Sequence, residues 1–279
     1  MPALIFTKTG QELKKAVEKR APKWLLGWLV SAKRFLRPGG PRLFPIWIPL
    51  IGGYLLFPHR FFSPDSRMLP DEDYFRILSP EKGGTVLDVG ACIGFSALEA
   101  LHRIGREGLL VAIEPDPENL KFLSMNLSRF SNCLIVGKGV GENEGSRILY
   151  RSFGPGGHTF YKGISFRSHP TCKSVRVRTS TIDRICEELG LERVDFMMMD
   201  VEGAELEALR GARKMLKVTR KVVVGAYHIV RGKPTYPKVE RFLKRMGFQT
   251  VVTEDGLVHA WKVEREAENQ GKKRKLPLL

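Results

Sequence analysis

Cysteine is scarce in this chain. Four residues, Cys92, Cys133, Cys172 and Cys186, are spread over 279 positions, and none forms a C-x-x-C pair. That spacing speaks against a zinc cage, and a disulfide framework does not suit a chain of this length. Free thiols in a cytoplasmic protein are the reading that remains. Long apolar runs are missing too. The longest, residues 43–57, is broken by Pro45, Pro49, Gly52 and Gly53 and falls short of the roughly 20 residues a bilayer-spanning helix needs. Two β-strands around the Gly-Gly pair suit it better. The apolar start, Met1 to Phe6, is too short for a secretory leader. Acidic residues are in short supply: 30 Asp and Glu face 46 Lys and Arg, for a net charge of +16. Such a surface attracts nucleic acid, anionic lipid, acidic glycan or phosphate-bearing molecules, and charge alone does not choose among them.

What is present has the balance of an ordinary globular protein. Three zones are expected: an N-terminal extension over residues 1–80, a main domain over 81–263, and a charged, disordered tail over 264–279. In the extension, residues 11–20 and 22–37 read as helices. The second gathers Trp24, Leu25, Trp28, Leu29, Phe35 and Leu36 on one face, with Lys23, Lys33, Arg34 and Arg37 around it. A basic helix of this kind can lie on an anionic membrane surface, peripheral to the bilayer. Packing on the main domain is the plainer alternative, since amphipathicity is the normal state of a surface helix.

From Thr85 onward strands and helices alternate. TVLDVG, LLVAIEPD, CLIVGKGVG, SVRVRTSTI, VDFMMMD and KVVVGAYHI read as strands, with helices between them and a terminal hairpin over 248–263. The helix after VDFMMMD runs on through AELEALRGARKML. Residues 142–175 interrupt the alternation and predict an extra hairpin or a substrate-facing insertion. Alternating elements imply right-handed crossovers and a parallel sheet. The fold class is therefore α/β, a doubly wound Rossmann-like sheet.

Three strand ends carry chemistry. Asp88-Val-Gly-Ala-Cys-Ile-Gly94 ends the first strand, where Gly90 and Gly94 let the backbone approach a ligand. Glu114-Pro-Asp116 ends the second, where an acid can accept both hydroxyls of a ribose. Asp116 also reads as a helix N-cap ahead of Pro117. An acid at Asp88 would repel a pyrophosphate but suits a cofactor bearing sulfonium and ammonium charges, which favours S-adenosylmethionine over a dinucleotide. Asp200-Val-Glu-Gly-Ala-Glu205 ends the fourth strand, close to where a methyl group would transfer. Asp200 and Glu202 there could orient a substrate, act as base or bind metal. Glu205 reads as a first-turn acid favoured by the helix dipole. His228 in the fifth strand could take a proton from a hydroxyl.

These residues resemble the FkbM family of S-adenosylmethionine-dependent methyltransferases over residues 83–252. The D-V-G-A-N-I-G of that family is similar to Asp88–Gly94, its E-P-x-P to Glu114–Pro117, its L-G-x-x-x-G to Val140–Gly145, its T-L-D to Thr181–Asp183, and its D-F-I-K-I-D-V-E-G-A-E to Asp195–Glu205. Cys92 stands for the usual Asn, Met198 for Lys, and Gly225-Ala226 where many members carry an acid. The resemblance implies O-methylation of a hydroxyl on a small molecule, glycan or lipid-linked acceptor. S-adenosylmethionine would be bound by Asp88, Gly90, Ala91, Cys92, Gly94, Glu114, Asp116 and Val140. Asp200, Glu202 and His228 would be catalytic, and no metal is assigned. A 2′-hydroxyl RNA methyltransferase is the less favoured alternative, as is a non-catalytic protein of the membrane surface.

Overall fold

The structure is a computed structural model that describes residues 43–48, 53–58, 73–152, 154–162 and 170–263. The helices expected at 11–20 and 22–37, and the tail at 264–279, lie outside the described residues. Strands β1 (Leu43–Ile48) and β2 (Gly53–Pro58) pair antiparallel, as the reading of two strands in this stretch predicts. Among the described residues no helix is long and apolar enough to cross a membrane.

After a short helix α1 (Asp73–Arg76), the chain alternates. Strand β3 (Thr85–Val89) leads to α2 (Phe95–Ile104), β4 (Leu109–Ile113) to α3 (Pro117–Leu127), and β5 (Cys133–Val136) completes one half of the sheet. Strands β3, β4 and β5 pair in parallel in that order. The chain then returns to the other side of β3 with β9 (Val194–Met199), followed outward by β10 (Thr219–Gly225), both parallel. Between β5 and β9 come β6 (Gly139–Val140), β7 (Gly145–Ser152), β8 (Pro170–Ser180) and helix α4 (Ile182–Glu188). After β9 come α5 (Glu205–Arg210) and α6 (Met215–Val218). Beyond β10 follow a small ribbon, β11 (Ile229–Val230) with β12 (Lys233–Pro234), then α7 (Tyr236–Arg245), β13 (Gln249–Val252) and β14 (Leu257–Trp261). The terminal hairpin folds so that β14 lies antiparallel between β10 and β13, giving a seven-stranded sheet β13-β14-β10-β9-β3-β4-β5. The order reverses between β3 and β9, and at such a switch point the strand ends open a crevice for ligands.

Both sheet faces are dry. On one, Val86, Leu110, Phe196, Met198 and Val223 pack against Leu98, Leu101 and Ile104 of α2 and Leu123 of α3. On the other, Leu87, Val111, Met197, Val222 and Val224 meet Ile185, Leu209, Leu216, Phe242 and Leu243. The continuous apolar strands of the sequence are explained by this double burial.

Three expectations need correction. SVRVRTSTI does not continue the main sheet. It falls in β8, which pairs antiparallel with β7 and parallel with β6 in a separate three-stranded sheet. Its Arg176 and Arg178 are exposed while Val177 and Thr179 are buried, a two-sided pattern that a doubly covered strand cannot hold. CLIVGKGVG is two strands. After the edge strand β5, with Leu134 and Ile135 exposed, the chain turns at Gly137-Lys138 and enters the side sheet as β6. The helix AELEALRGARKML is broken at Gly211, which packs directly under the Gly141 carbonyl. Its second half restarts as α6, where the Asp183 carboxylate accepts from the backbone N–H groups of Lys214 and Met215 at 2.9 and 2.7 Å.

Candidate active site

The ends of β3, β4 and β9 come together as the topology requires. Asp200 N donates to the Val89 carbonyl at 2.9 Å, and Gly90 N to the Ile113 carbonyl at 2.9 Å. Gly90 has φ +90°, and a Cβ there would sit 1.9 Å from the Asp200 carbonyl oxygen. Only glycine lets the first turn lie this close to the fourth strand end. Above the turn is a cleft that opens to solvent. Gly90, Cys92, Glu114, Asn119, Val140, Asp200 and Glu202 line it, and Pro155, Gly156, Gly157, His158 and Phe160 of the insertion wall it on one side. The insertion is pinned there: Asn119 Nδ2 donates to the Pro155 carbonyl at 2.9 Å, and Thr159 Oγ1 to the Glu202 carbonyl at 2.7 Å.

Glu114 is 4% exposed. Its Oε2 accepts from Cys92 N at 2.9 Å, and its Oε1 from Asp116 N at 2.8 Å. Burial, with the neighbouring Asp116 charge, pushes its carboxyl up to about 8 against the hydrogen bonds it accepts. Asp116 is turned away from the cleft. Its Oδ1 caps α3 by accepting from Glu118 N and Asn119 N at 2.8 and 3.1 Å, and its Oδ2 takes Arg151 Nε. Asp88 lies beneath the turn, where it accepts from Ser96 Oγ at 2.8 Å and burial raises its carboxyl to about 7. Ala91 and Gly94 form the turn without lining the cleft: the Ala91 carbonyl accepts from Gly94 N at 2.8 Å, and Gly94 is the left-handed N-cap of α2.

Beyond the glycine turn is a cluster of acids around one imidazole. His228 is 1% exposed and lies past the end of β10. Its Nδ1 is 2.9 Å from Glu205 Oε1, and its Nε2 is 3.0 Å from Glu202 Oε2 and 3.5 Å from Asp200 Oδ1. Burial alone would lower its pKa, but the Glu202, Glu205 and Asp200 carboxylates outweigh that and raise it to about 11. Sequence reading gave His228 the task of taking a proton. In this setting the carboxylates favour the protonated ring. Asp200 Oδ2 accepts from Tyr74 Oη at 2.8 Å and Tyr227 Oη at 2.6 Å. Burial and then Glu202 push the Asp200 carboxyl up. Burial and the Asp200 charge likewise raise both phenols, which stay as neutral donors.

The sequence did not reveal Tyr74, Tyr227 or the true role of Glu205. Glu205 is wholly buried and accepts from Gly203 N at 2.7 Å while holding His228. One signal for Tyr74 was present but unreadable. A Cβ on Gly225 would come within 2.4 Å of the Tyr74 hydroxyl, so the phenol fills the room that an acid before the histidine would need.

The comparisons with known proteins bear on these strand ends. The profile described as Methyltransferase FkbM domain matches residues 88–250. The chain belongs to the FkbM methyltransferase family. Among curated relatives, the AMB antimetabolite synthetase AmbE of Pseudomonas aeruginosa is 27% identical over 229 residues, covering 67% of this chain and 10% of the synthetase. The 2-O-methyltransferase NoeI of Sinorhizobium fredii is 25% identical over 151 residues, covering 48% of this chain and 60% of NoeI. The match thus spans a tenth and three fifths of these two relatives. Among solved structures, the methyltransferase FkbM of Methylobacillus flagellatus aligns with a TM-score of 0.49 at 24% identity, over 67% of this chain and 46% of that one.

The cofactor of FkbM methyltransferases is S-adenosylmethionine, and the residues present fit it. Glu114 is a buried carboxylate at the cleft wall that gains from hydroxyl donors such as those of a ribose. Gly90 leaves a cradle that a Cβ would fill, and Asp200 and Glu202 face the same space as acids able to accompany a positively charged ligand. Of the expected cofactor residues, Gly90, Cys92, Glu114 and Val140 line the cleft, while Asp88, Ala91, Gly94 and Asp116 support its walls. Cys92 is strained in this FkbM-family chain, with φ +52° in the left-handed region, where Asn is tolerated better than most residues. Cys92→Asn is expected to stabilise the fold by roughly 1 kcal/mol, measured as a higher urea midpoint at unchanged slope.

Proposed function

We propose that the protein transfers a methyl group from S-adenosylmethionine to a hydroxyl oxygen of a small-molecule, glycan or lipid-linked acceptor. The observation that carries this reading is the Asp200–Glu202 carboxylate pair, which opens into the cleft lined by Glu114. A hydroxyl must lose its proton as it is methylated, and carboxylates held in a partly dry site can take it. The name of NoeI, a 2-O-methyltransferase, agrees with an oxygen acceptor. When bound, S-adenosylmethionine supplies an electrophilic methyl group on a sulfonium sulfur. Glu114 would hold the ribose, and the Gly90 turn would make room for the amino-acid end. The Asp200–Glu202 pair would receive the proton that the acceptor hydroxyl gives up when it is methylated. His228, held by Glu205, keeps both carboxylates in place. Much of the acceleration is expected from this positioning.

Incubation with methyl-labelled cofactor and cell extract tests the reading. Label is expected in a small-molecule, glycan or lipid fraction, with the carbon-13 shift of a methoxy group. Label in RNA would favour the 2′-hydroxyl alternative that the +16 charge keeps open, and an N-methyl or S-methyl shift would sink the oxygen assignment.

A further inference from the structure

Three carboxylates, Asp200, Glu202 and Glu205, converge on one imidazole, and a cation at Nε2 would take the place of the proton that the ring otherwise holds there. We infer that Asp200 Oδ1, Glu202 Oε2 and His228 Nε2 form the binding site of one divalent first-row transition-metal cation, with Glu205 as the positioning carboxylate behind the histidine. The inference rests on the proposed methyl transfer only for the use of the cation, which would hold the acceptor oxygen beside the carboxylate pair.

The geometry fits such an ion. The three atoms lie within 4.8 Å of one another, with Nε2 at 3.0 Å from Glu202 Oε2 and 3.5 Å from Asp200 Oδ1. Donors bound at about 2.1 Å to one ion stand about 3.0–3.4 Å apart in octahedral or tetrahedral arrangements. Independently of the acids, the His228 ring is almost fully buried and aimed into the cluster. Neither its Nε2 nor Asp200 Oδ1 has a hydrogen bond, although both atoms are shut off from solvent. Sealed polar atoms of this kind are rare without a reason. The surroundings orient the donors. The two tyrosine hydroxyls occupy Asp200 Oδ2 and leave Oδ1 toward the imidazole. Glu205, anchored by Gly203 N, stands against Nδ1, the support that metal-bound histidines usually have. Asp200 and Glu202 keep 29% and 23% of their side-chain surface exposed, so coordination positions remain open to the cleft. Two carboxylates with one imidazole suit Mn²⁺, Fe²⁺ or Zn²⁺ better than the all-oxygen shell of Mg²⁺ or Ca²⁺.

The test uses the full chain after chelator treatment, titrated with Mn²⁺ and followed by EPR, with cofactor affinity of the metal-free protein measured separately by calorimetry. One Mn²⁺ per chain is expected, with nitrogen-14 modulation from a directly bound imidazole in pulsed EPR. His228→Ala and Glu202→Gln should each weaken Mn²⁺ at least tenfold, and Glu205→Gln about 10- to 100-fold. Mn²⁺ that stays free at millimolar concentration, or binds without nitrogen coupling, overturns the site. The wild-type nitrogen signal decides the matter even where a variant does not fold. Cofactor binding without Mn²⁺ binding removes the cation and spares the methyltransferase reading, whereas Mn²⁺ binding without cofactor affinity does the reverse.

Discussion

Asp200→Asn should slow methyl transfer by about 100- to 10,000-fold, the range lost when a positioned acid–base group is removed. The substitution is nearly isosteric. The amide oxygen can take the place of Oδ2 and keep the hydroxyl donors of Tyr74 and Tyr227, which stand at 2.8 and 2.6 Å. The amide nitrogen then replaces Oδ1, 3.5 Å from His228 Nε2, and sets donor against donor. One of the two negative charges facing the cleft is gone, and the acceptor hydroxyl loses half of the pair that receives its proton. Cofactor affinity should hold within about threefold by calorimetry, because the ribose contact at Glu114 and the Gly90 turn are untouched. A variant with near wild-type turnover would remove Asp200 from the chemistry. A variant that loses cofactor affinity would show that it acts on binding instead.

The second large effect falls at Glu114. Glu114→Gln removes a charged acceptor from two ribose hydroxyls, at about 1.5–3 kcal/mol for each hydrogen bond to a charged group, so at least a tenfold loss of cofactor affinity is expected in calorimetry. Stability carries a separate signature. The folded-state pKa, about 8, lies above the ordinary value of 4.5. Between those values the folded protein holds a proton that the unfolded chain releases, so stability is highest below pH 4.5 as far as this group is concerned. It declines as pH rises and levels off above about 8, at most by roughly 1.4 kcal/mol for each tenfold difference in proton affinity between the folded and unfolded chain. Urea titrations of the wild type from pH 5 to 9 should show this decline, and Glu114→Gln should make it shallower, leaving the part that comes from Asp88. The variant also turns an amide N–H₂ toward Cys92 N or Asp116 N, a cost that does not vary with pH, so the slope is the diagnostic. Cofactor binding below pH 8 should release a proton, visible as a dependence of the binding heat on the buffer's ionisation enthalpy. A pH-independent wild type would show that Glu114 is not a buried, proton-holding acid.

The sequence revealed best what is local. Asp116 ahead of Pro117 announces a cap because its partners lie two and three residues on. The strand ends at Asp88, Glu114 and Asp200 follow from unbroken apolar runs that stop at glycine or acid. What could not be read depends on distance. Tyr74 meets Asp200 across 126 positions, and nothing near either residue forecasts the pairing. Glu205 is the first-turn acid that the sequence indicates, but its burial against His228 cannot be seen in sequence. Strand β8 was assigned to the main sheet because alternation of elements was given more weight than alternation of Arg176, Val177 and Arg178 within it. The break at Gly211 follows from Gly141, a residue on a different element, and so escapes any local pattern.

Tyr74 has a consequence for anyone moving this module between proteins. The recognisable family segment, residues 88–250, is not a mechanical unit. Cutting there would discard the phenol that fixes Asp200, three of the five residues of the central strand β3, and β14, the strand wedged between β10 and β13. A graft made by homology would carry the signature residues and leave out what keeps them aligned. The transferable piece runs at least from Asp73 to Trp261, and lineages that shuffle this catalytic cassette would have to inherit its flanks together with its motifs.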